Sequence, residues 1–315
     1  MAVDFRYHAY GLCLASDTAL PELGAGCDHA APDVTLRLMA PARRLRAPRW
    51  VFRSQAPDGR SWLRCARIAQ GYLLRFAGLA DFFLAADGSR VACHASSFSR
   101  DDPALRHLAL DQVMPLAWKL RGGEALHASA VAIDGRVCAF FGPTGAGKST
   151  LAASFVAAGY PLVCDDCLAL LPPRDGAPLE VQPAYPALRL WPDALTLMAE
   201  IPGEVTLVAS YADKQRWSAN RADNFAAGVL PLHRLYRLER SSSGEGVSTW
   251  QTPTTRAAFM ELVDATFRLD LSDRTLFKRE FAALEQVARR IPMRRLRVGD
   301  DLRARQAHAA ILADQ

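Results

Sequence analysis

Up to about Arg100, apolar and polar side chains alternate in short runs. Asp33-Val34-Thr35-Leu36-Arg37-Leu38 and Gly71-Tyr72-Leu73-Leu74-Arg75-Phe76 show the two-residue period of half-buried strands. Asp87-Gly88, set between Phe82-Phe83-Leu84 and Arg90-Val91-Ala92, predicts a hairpin. Leu105, Leu108, Val113, Leu116 and Leu120 then follow helical spacing and predict a helix over about 103–120, stopped at Gly122-Gly123. A strand from His127 to Ile133 turns at Asp134-Gly135 into a second, Val137 to Phe141. A helix-like run from Thr150 to Ala158, with Leu151, Phe155 and Val156 apolar, ends at Gly159. Leu162-Val163-Cys164 is a strand that ends in Asp165-Asp166. Further on, the pattern predicts a long loop around Pro192 to Trp217, a strand over Leu232 to Leu238 and a surface loop at Ser241 to Gly246. Two helices follow, the second from about Ser272 with Phe277, Phe281, Leu284 and Ala288 as its apolar stripe. Alternating strands and helices predict an α/β fold. A β-rich domain over 1–100, without a catalytic constellation and suited to packing or substrate docking, precedes a second domain over 101–315.

With 315 residues, 50% of them hydrophobic, the chain can bury a substantial core, and its length suits two domains. The net charge of +5 is modest and demands no nucleic-acid partner. Part of the excess lies in Arg289, Arg290, Arg294, Arg295 and Arg297, which read as a solvated helix end and strand. The N-terminus lacks the basic-then-apolar order of a signal peptide, and no segment is apolar for long enough to span a bilayer. Seven cysteines, odd in number and without framework spacing, fit a reducing cytoplasm. Cys164 and Cys167 form a C-x-x-C without a second Cys/His pair, so they read as small packing residues.

The chemistry lies in Gly142-Pro143-Thr144-Gly145-Ala146-Gly147-Lys148-Ser149, a G-x-x-x-x-G-K-S run between a predicted strand and a predicted helix. Its glycines let the backbone wrap a polyphosphate, and the helix opening at Thr150 turns its positive end to the same anion. Lys148 is placed to reach the β- and γ-phosphates of ATP, and Ser149 to give a hydroxyl to Mg²⁺. That ion needs a carboxylate nearby, and one short helix and one strand lead from the loop to Asp165-Asp166. So short a path predicts that the acidic strand lies immediately beside the loop strand. Two adjacent carboxylates can divide the labour, Asp166 holding the metal while Asp165 accepts a hydroxyl proton. His127 begins the strand that pairs with the loop strand, where it can lie beside the γ-phosphate or serve structure alone.

The run Leu126-His127-Ala128-Ser129-Ala130-Val131, the hairpin, the loop from Gly142 to Ser149, Gly159-Tyr160 and Cys164-Asp165-Asp166 together resemble the core of the HPr kinase/phosphorylase family. The resemblance covers about His127 to Leu170. It implies a phosphate-loop kinase domain of phosphoenolpyruvate-carboxykinase type, an ATP- and Mg²⁺-dependent enzyme that phosphorylates a serine of a protein. It also implies a catalytic histidine at His127, an acid/base aspartate at Asp165 and a metal site at Asp166 with Ser149. The family has an acidic residue and a glycine-rich signature one strand later. Here Tyr185-Pro186-Ala187-Leu188-Arg189-Leu190-Trp191-Pro192 carries no carboxylate, so the reverse phosphorylase reaction is not implied. That run and Asp213-Lys214-Gln215-Arg216 are closer to the shorter relatives that phosphorylate the C-terminal serine of lasso-peptide precursors. Lysine occurs only at Lys119, Lys148, Lys214 and Lys278, which makes Lys214 a candidate second cation for the phosphates and Arg189 a weaker one. The expected acceptor is a peptide or small protein, without nucleic acid or membrane, and a homo-oligomer is compatible with the resemblance. A small-molecule kinase and a nucleotide-gated binding protein are the alternatives.

Overall fold

A computed structural model describes residues 5–24, 26, 31–38, 49–55, 59–95, 102–209, 212–219, 224–240, 248–298 and 304–315. The expected surface loop at Ser241 to Gly246 lies outside them. The chain forms two compact units, Met1–Gly123 with Ala209–Ala212 and Phe267–Glu280, and Glu124–Val208 with Asp213–Thr266 and Phe281–Gln315.

The first unit is built on eight strands: β1 (Phe5–Ala9), β2 (Leu12–Ser16), β3 (Val34–Arg37), β4 (Trp50–Gln55), β5 (Ser61–Ile68), β6 (Gly71–Phe76), β7 (Ala80–Ala85) and β8 (Arg90–His94). Their order in the sheet is β1-β2-β3-β8-β7-β6-β5-β4, antiparallel from β8 through β4. Asp87-Gly88 does form the β7–β8 turn, where Asp87 Oδ1 accepts from the amide and hydroxyl of Ser89. Alternation buries Leu63, Cys65, Leu74, Phe76, Phe82, Leu84, Val91 and Cys93 on one face. The expected helix starts at α1 (Pro103–His107), capped by Asp102, and ends in α2 (Met114–Leu120), with a π-helical stretch at Leu108–Val113 between them. Its stripe Leu105, Leu108, Val113 and Leu116 is buried, and the Tyr10 hydroxyl donates to Leu110 O. Those contacts make the helix part of this unit, which runs on to Gly123 rather than ending near residue 100.

The second unit holds β9 (Glu124–Leu126), β10 (Ala128–Ile133), β11 (Arg136–Phe141), α3 (Lys148–Ala157), β12 (Leu162–Cys164), β13 (Leu168–Leu170), β14 (Glu180–Gln182), β15 (Ala187–Leu190) and α4 (Pro192–Leu195). It continues with β16 (Gly203–Ala209), β17 (Ala212–Ala219), β18 (Leu230–Arg240), β19 (Ser248–Gln251), α5 (Thr255–Asp264), α6 (Arg274–Arg290), of which the part from Phe281 on belongs to this unit, β20 (Met293–Val298) and α7 (Ala304–Ala313). The main sheet runs β12-β10-β11-β18-β14-β13-β9, with β20 on β18 and β19 on β20; β15-β17-β16 form a second sheet. The two sheets and their helices make the fold α/β.

Two expectations fail here. Pro192 to Trp217 is α4, a 3₁₀ turn and two strands rather than a loop. β16 escaped notice because Glu204, Val205, Thr206 and Leu207 are all exposed, leaving no in-out alternation to read. On α6, Ala283, Leu284 and Val287 are buried while Phe277 is exposed, so the buried stripe is rotated from the expected one.

The core of the second unit joins Val131, Phe140, Leu162, Tyr236 and Leu296 of the main sheet to Leu151 and Phe155 of α3 and Ile311 of α7. Phe155 stacks on Phe140 at 5.6 Å and on His308 at 3.9 Å, fixing the helix against the strand that feeds it. All the described free cysteines are buried, and burial raises the thiols of Cys65, Cys93 and Cys138 to about 12, so they are packing groups. Cys13, by contrast, is disulfide-bonded, a link that the unpatterned cysteine count had argued against.

Candidate active site

The Asp134-Gly135 hairpin pairs β10 with β11 from Ala128↔Phe141 to Ile133↔Arg136. At the end of β11 the chain turns sharply at Gly142, whose φ is +139° and whose absent Cβ would lie 2.4 Å from Leu238 O. Only glycine lets the loop start so close to β18. Pro143, Thr144, Gly145 and Ala146 carry the chain over to Gly147, the N-cap residue of α3. No side chain caps this helix, so the amides of Lys148, Ser149 and Thr150 open it without an intrahelical acceptor. An uncapped N-terminus behind a glycine loop is a cradle for an anion, and that is the observation that fits a polyphosphate here.

The acidic strand is not the immediate neighbour of the loop strand. β12 pairs with β10, and β11 lies between β10 and β18. The hairpin already occupies that side of β11, so the next strand adds beyond it. Asp165 is nevertheless brought to the loop, because α3 returns the chain across β10. Ser149 Oγ donates to Asp165 Oδ1 at 2.9 Å. This alters the expected pairing: the carboxylate bonded to the loop serine is Asp165, not Asp166. Ser129 Oγ donates to the same oxygen at 2.5 Å. Asp165 Oδ2 accepts from the Arg189 amide at 2.8 Å and faces its Nε at 3.4 Å. With its side chain 0% exposed, the Asp165 carboxyl group is enclosed by its donors and not open to an incoming hydroxyl.

Asp166 stands differently. Its φ of +64° lies in the left-handed region, a cost of about 1 kcal/mol for a residue with a Cβ, tolerated where neighbours hold it. Arg189 provides the hold. Its guanidinium donates to Asp165 O at 2.6 Å and reaches Asp166 Oδ2 at 3.1 Å. Arg189 was expected as a phosphate contact, but its side chain is 1% exposed and turned to the two aspartates. The Asp166 side chain keeps 15% exposure, with Oδ1 4.0 Å from His127 Nε2. His127 Nδ1 meets Asp166 O at 3.1 Å, and the His127 amide is tied to Ala265 O. Residues 127 and 129 lie two apart at the start of β10, which is why both side chains face the acidic pair.

Lys148 is buried, and its Nζ donates to Gly142 O at 3.0 Å and to Pro143 O at 3.2 Å. Burial lowers its pKa, the two aspartates oppose that shift, and Lys214 adds to it. Lys214 rests over the exposed ring of Trp191 at 5.8 Å from its centroid. His127 is also lowered, first by loss of hydration and then by Lys148 and Arg189, against the pull of Asp166 and Asp165, so the ring is neutral at pH 7. Burial keeps Cys164 a thiol, and among the described residues no three His, Cys, Asp or Glu side chains form a metal set. The hydroxyl of Ser149 and the carboxylate of Asp165 are hard oxygen donors, which fits Mg²⁺ shared with phosphate oxygens rather than a closed protein cage.

Ser129 was not singled out by sequence, although its place two residues after His127 on a strand start was visible. The bracing role of Arg189 left no such signal.

No protein-family model and no curated protein matches this sequence. Among solved structures the chain is similar to the HPr(Ser) kinase/phosphatase from Coxiella burnetii, with 14% identity over 52% of this chain and 96% of that one and a TM-score of 0.25. What the chain does must be read from the site itself.

Proposed function

We propose that this chain transfers the γ-phosphoryl group of ATP to a hydroxyl of a peptide or small protein. The observation that carries this reading is the Ser149–Asp165 hydrogen bond at the uncapped start of α3, directly behind a glycine loop that contains Lys148. The loop amides and Lys148 bind the phosphates, and Lys214 serves as a second cation beside them. Ser149 and Asp165 would hold Mg²⁺, which supplies charge neutralisation to the polyphosphate when bound. The acceptor oxygen bonds to the γ-phosphorus, the bond from that phosphorus to the bridging oxygen breaks, and ADP leaves. The hydroxyl proton passes to Asp166, the more open carboxylate, which Arg189 orients and beside which neutral His127 can take up the proton in turn. The expected roles of the two aspartates are thereby exchanged. The finer reading, a C-terminal serine of a lasso-peptide precursor in the cytoplasm, belongs to the same proposal.

The test is single-turnover transfer of labelled phosphate from ATP to serine peptides, some with serine at the C-terminus, alongside a metabolite pool. Phosphorylated peptide is expected. Label entering only metabolites identifies a small-molecule kinase, and saturable ATP binding without any phosphorylated product identifies a nucleotide-gated binder; either outcome overturns the reading.

A further inference from the structure

One face of the first unit's sheet bears an unusual row, exposed at Arg53 and half-buried from Arg64 onward. Arg53 of β4 lies opposite Arg64 of β5, Arg64 opposite Arg75 of β6, and Arg75 opposite Asp81 of β7. Side chains directly opposite on adjacent strands lie about 5 Å apart, and like charges there oppose pairing. Only the last arginine is neutralised: Arg75 Nε and a terminal nitrogen donate to the two Asp81 oxygens at 2.7 and 2.6 Å. Among the described residues Arg53 and Arg64 have no carboxylate partner, and Arg64 Nε is buried without a hydrogen-bond acceptor. Trp50 backs two members of the row, its ring centroid lying 5.0 Å from the Arg64 guanidinium and 5.3 Å from that of Arg75. β4 ends the sheet, and among the described strands none pairs with its outer edge.

We propose that this face is a docking surface for an acidic segment of the polypeptide acceptor, added as an extended strand along β4 with its carboxylates on Arg53 and Arg64. The inference rests on the reading that the acceptor is a polypeptide. Two guanidiniums without a carboxylate among the described residues, that of Arg64 held against Trp50, beside a sheet edge that no described strand pairs, match a chain that offers both carboxylates and backbone N–H and C=O groups. A nucleic acid offers the negative charge but no backbone to pair with the strand.

The test uses the full chain and a fluorescein-labelled peptide of alternating glutamate and valine, followed by anisotropy. A second peptide has glutamine in place of glutamate. Saturable binding of the glutamate peptide is expected, weakened by added salt because exposed charges are screened. Arg53→Glu with Arg64→Gln should reduce that affinity by about tenfold or more, and Arg53→Glu alone, at an exposed position, by a smaller factor. Fluorescent ATP-analogue affinity should stay unchanged in both variants, so a failure here is separable from a failure of the kinase reading. Equal binding of the glutamine peptide, wild-type affinity in both variants, or tighter binding of a single-stranded oligonucleotide would overturn the proposal.

Discussion

Arg189→Met tests the site at its most buried charge. The substitution keeps the volume roughly constant and leaves the backbone bond from the Arg189 amide to Asp165 Oδ2 in place. It removes the 2.6 Å charge-assisted bond to Asp165 O and the 3.1 Å contact with Asp166 Oδ2, along with the weaker Nε approach at 3.4 Å. A charge-assisted bond contributes about 1.5–3 kcal/mol, and a buried ion pair broken from one side costs about 3–5 kcal/mol because the remaining charge stays buried. The Ser129 and Ser149 hydroxyls still serve Asp165, so the lower end, about 3 kcal/mol, is expected. In thermal unfolding at neutral pH this corresponds to a fall of roughly 10 °C. Urea unfolding of both proteins at neutral pH measures this. A deficit below about 0.5 kcal/mol would refute the assignment of Arg189 as the brace of the acidic pair.

Asp165→Asn and Asp166→Asn should separate binding from chemistry. The first should lose Mg²⁺-dependent nucleotide affinity, and the second should keep it while transfer falls by about 10²-fold or more; the opposite split would restore the sequence-based roles. Ser149→Ala should lower Mg²⁺-dependent ATP affinity by about tenfold, read by calorimetry with and without the metal. His127, its folded pKa held below the unfolded value, contributes stability that is present above the usual histidine pKa and lost as pH falls through the folded one. His127→Gln should flatten that acid limb in a stability-against-pH profile. Gly142→Ala places a Cβ 2.4 Å from Leu238 O at a φ of +139° and should destabilise the protein by about 2–3 kcal/mol in urea unfolding.

Much of this protein was legible in local pattern. The G-x-x-x-x-G-K-S run needs its glycines at fixed places to turn the backbone, and the apolar strand before it and the helix after it follow from side-chain period alone. The hairpins at Asp87-Gly88 and Asp134-Gly135 were equally clear, because left-handed turn positions select their residues locally. Strand order was not of this kind. That β12 lies beyond β10 depends on which sheet edge was still open after the hairpin closed, a competition between distant segments. The division of work between Asp165 and Asp166 was decided in the same way, since adjacent residues of one type differ only in the direction each side chain takes. Arg189, twenty-four positions beyond Asp165, takes its place through hydrogen bonds to Asp165 and an ion pair with Asp166. The arginine row on the first sheet was likewise invisible along the chain. Arg53, Arg64 and Arg75 stand eleven residues apart, and only antiparallel register sets them side by side. Local geometry depends on neighbouring residues and can be read from them, whereas charges meet through packing, and packing is a property of the whole chain.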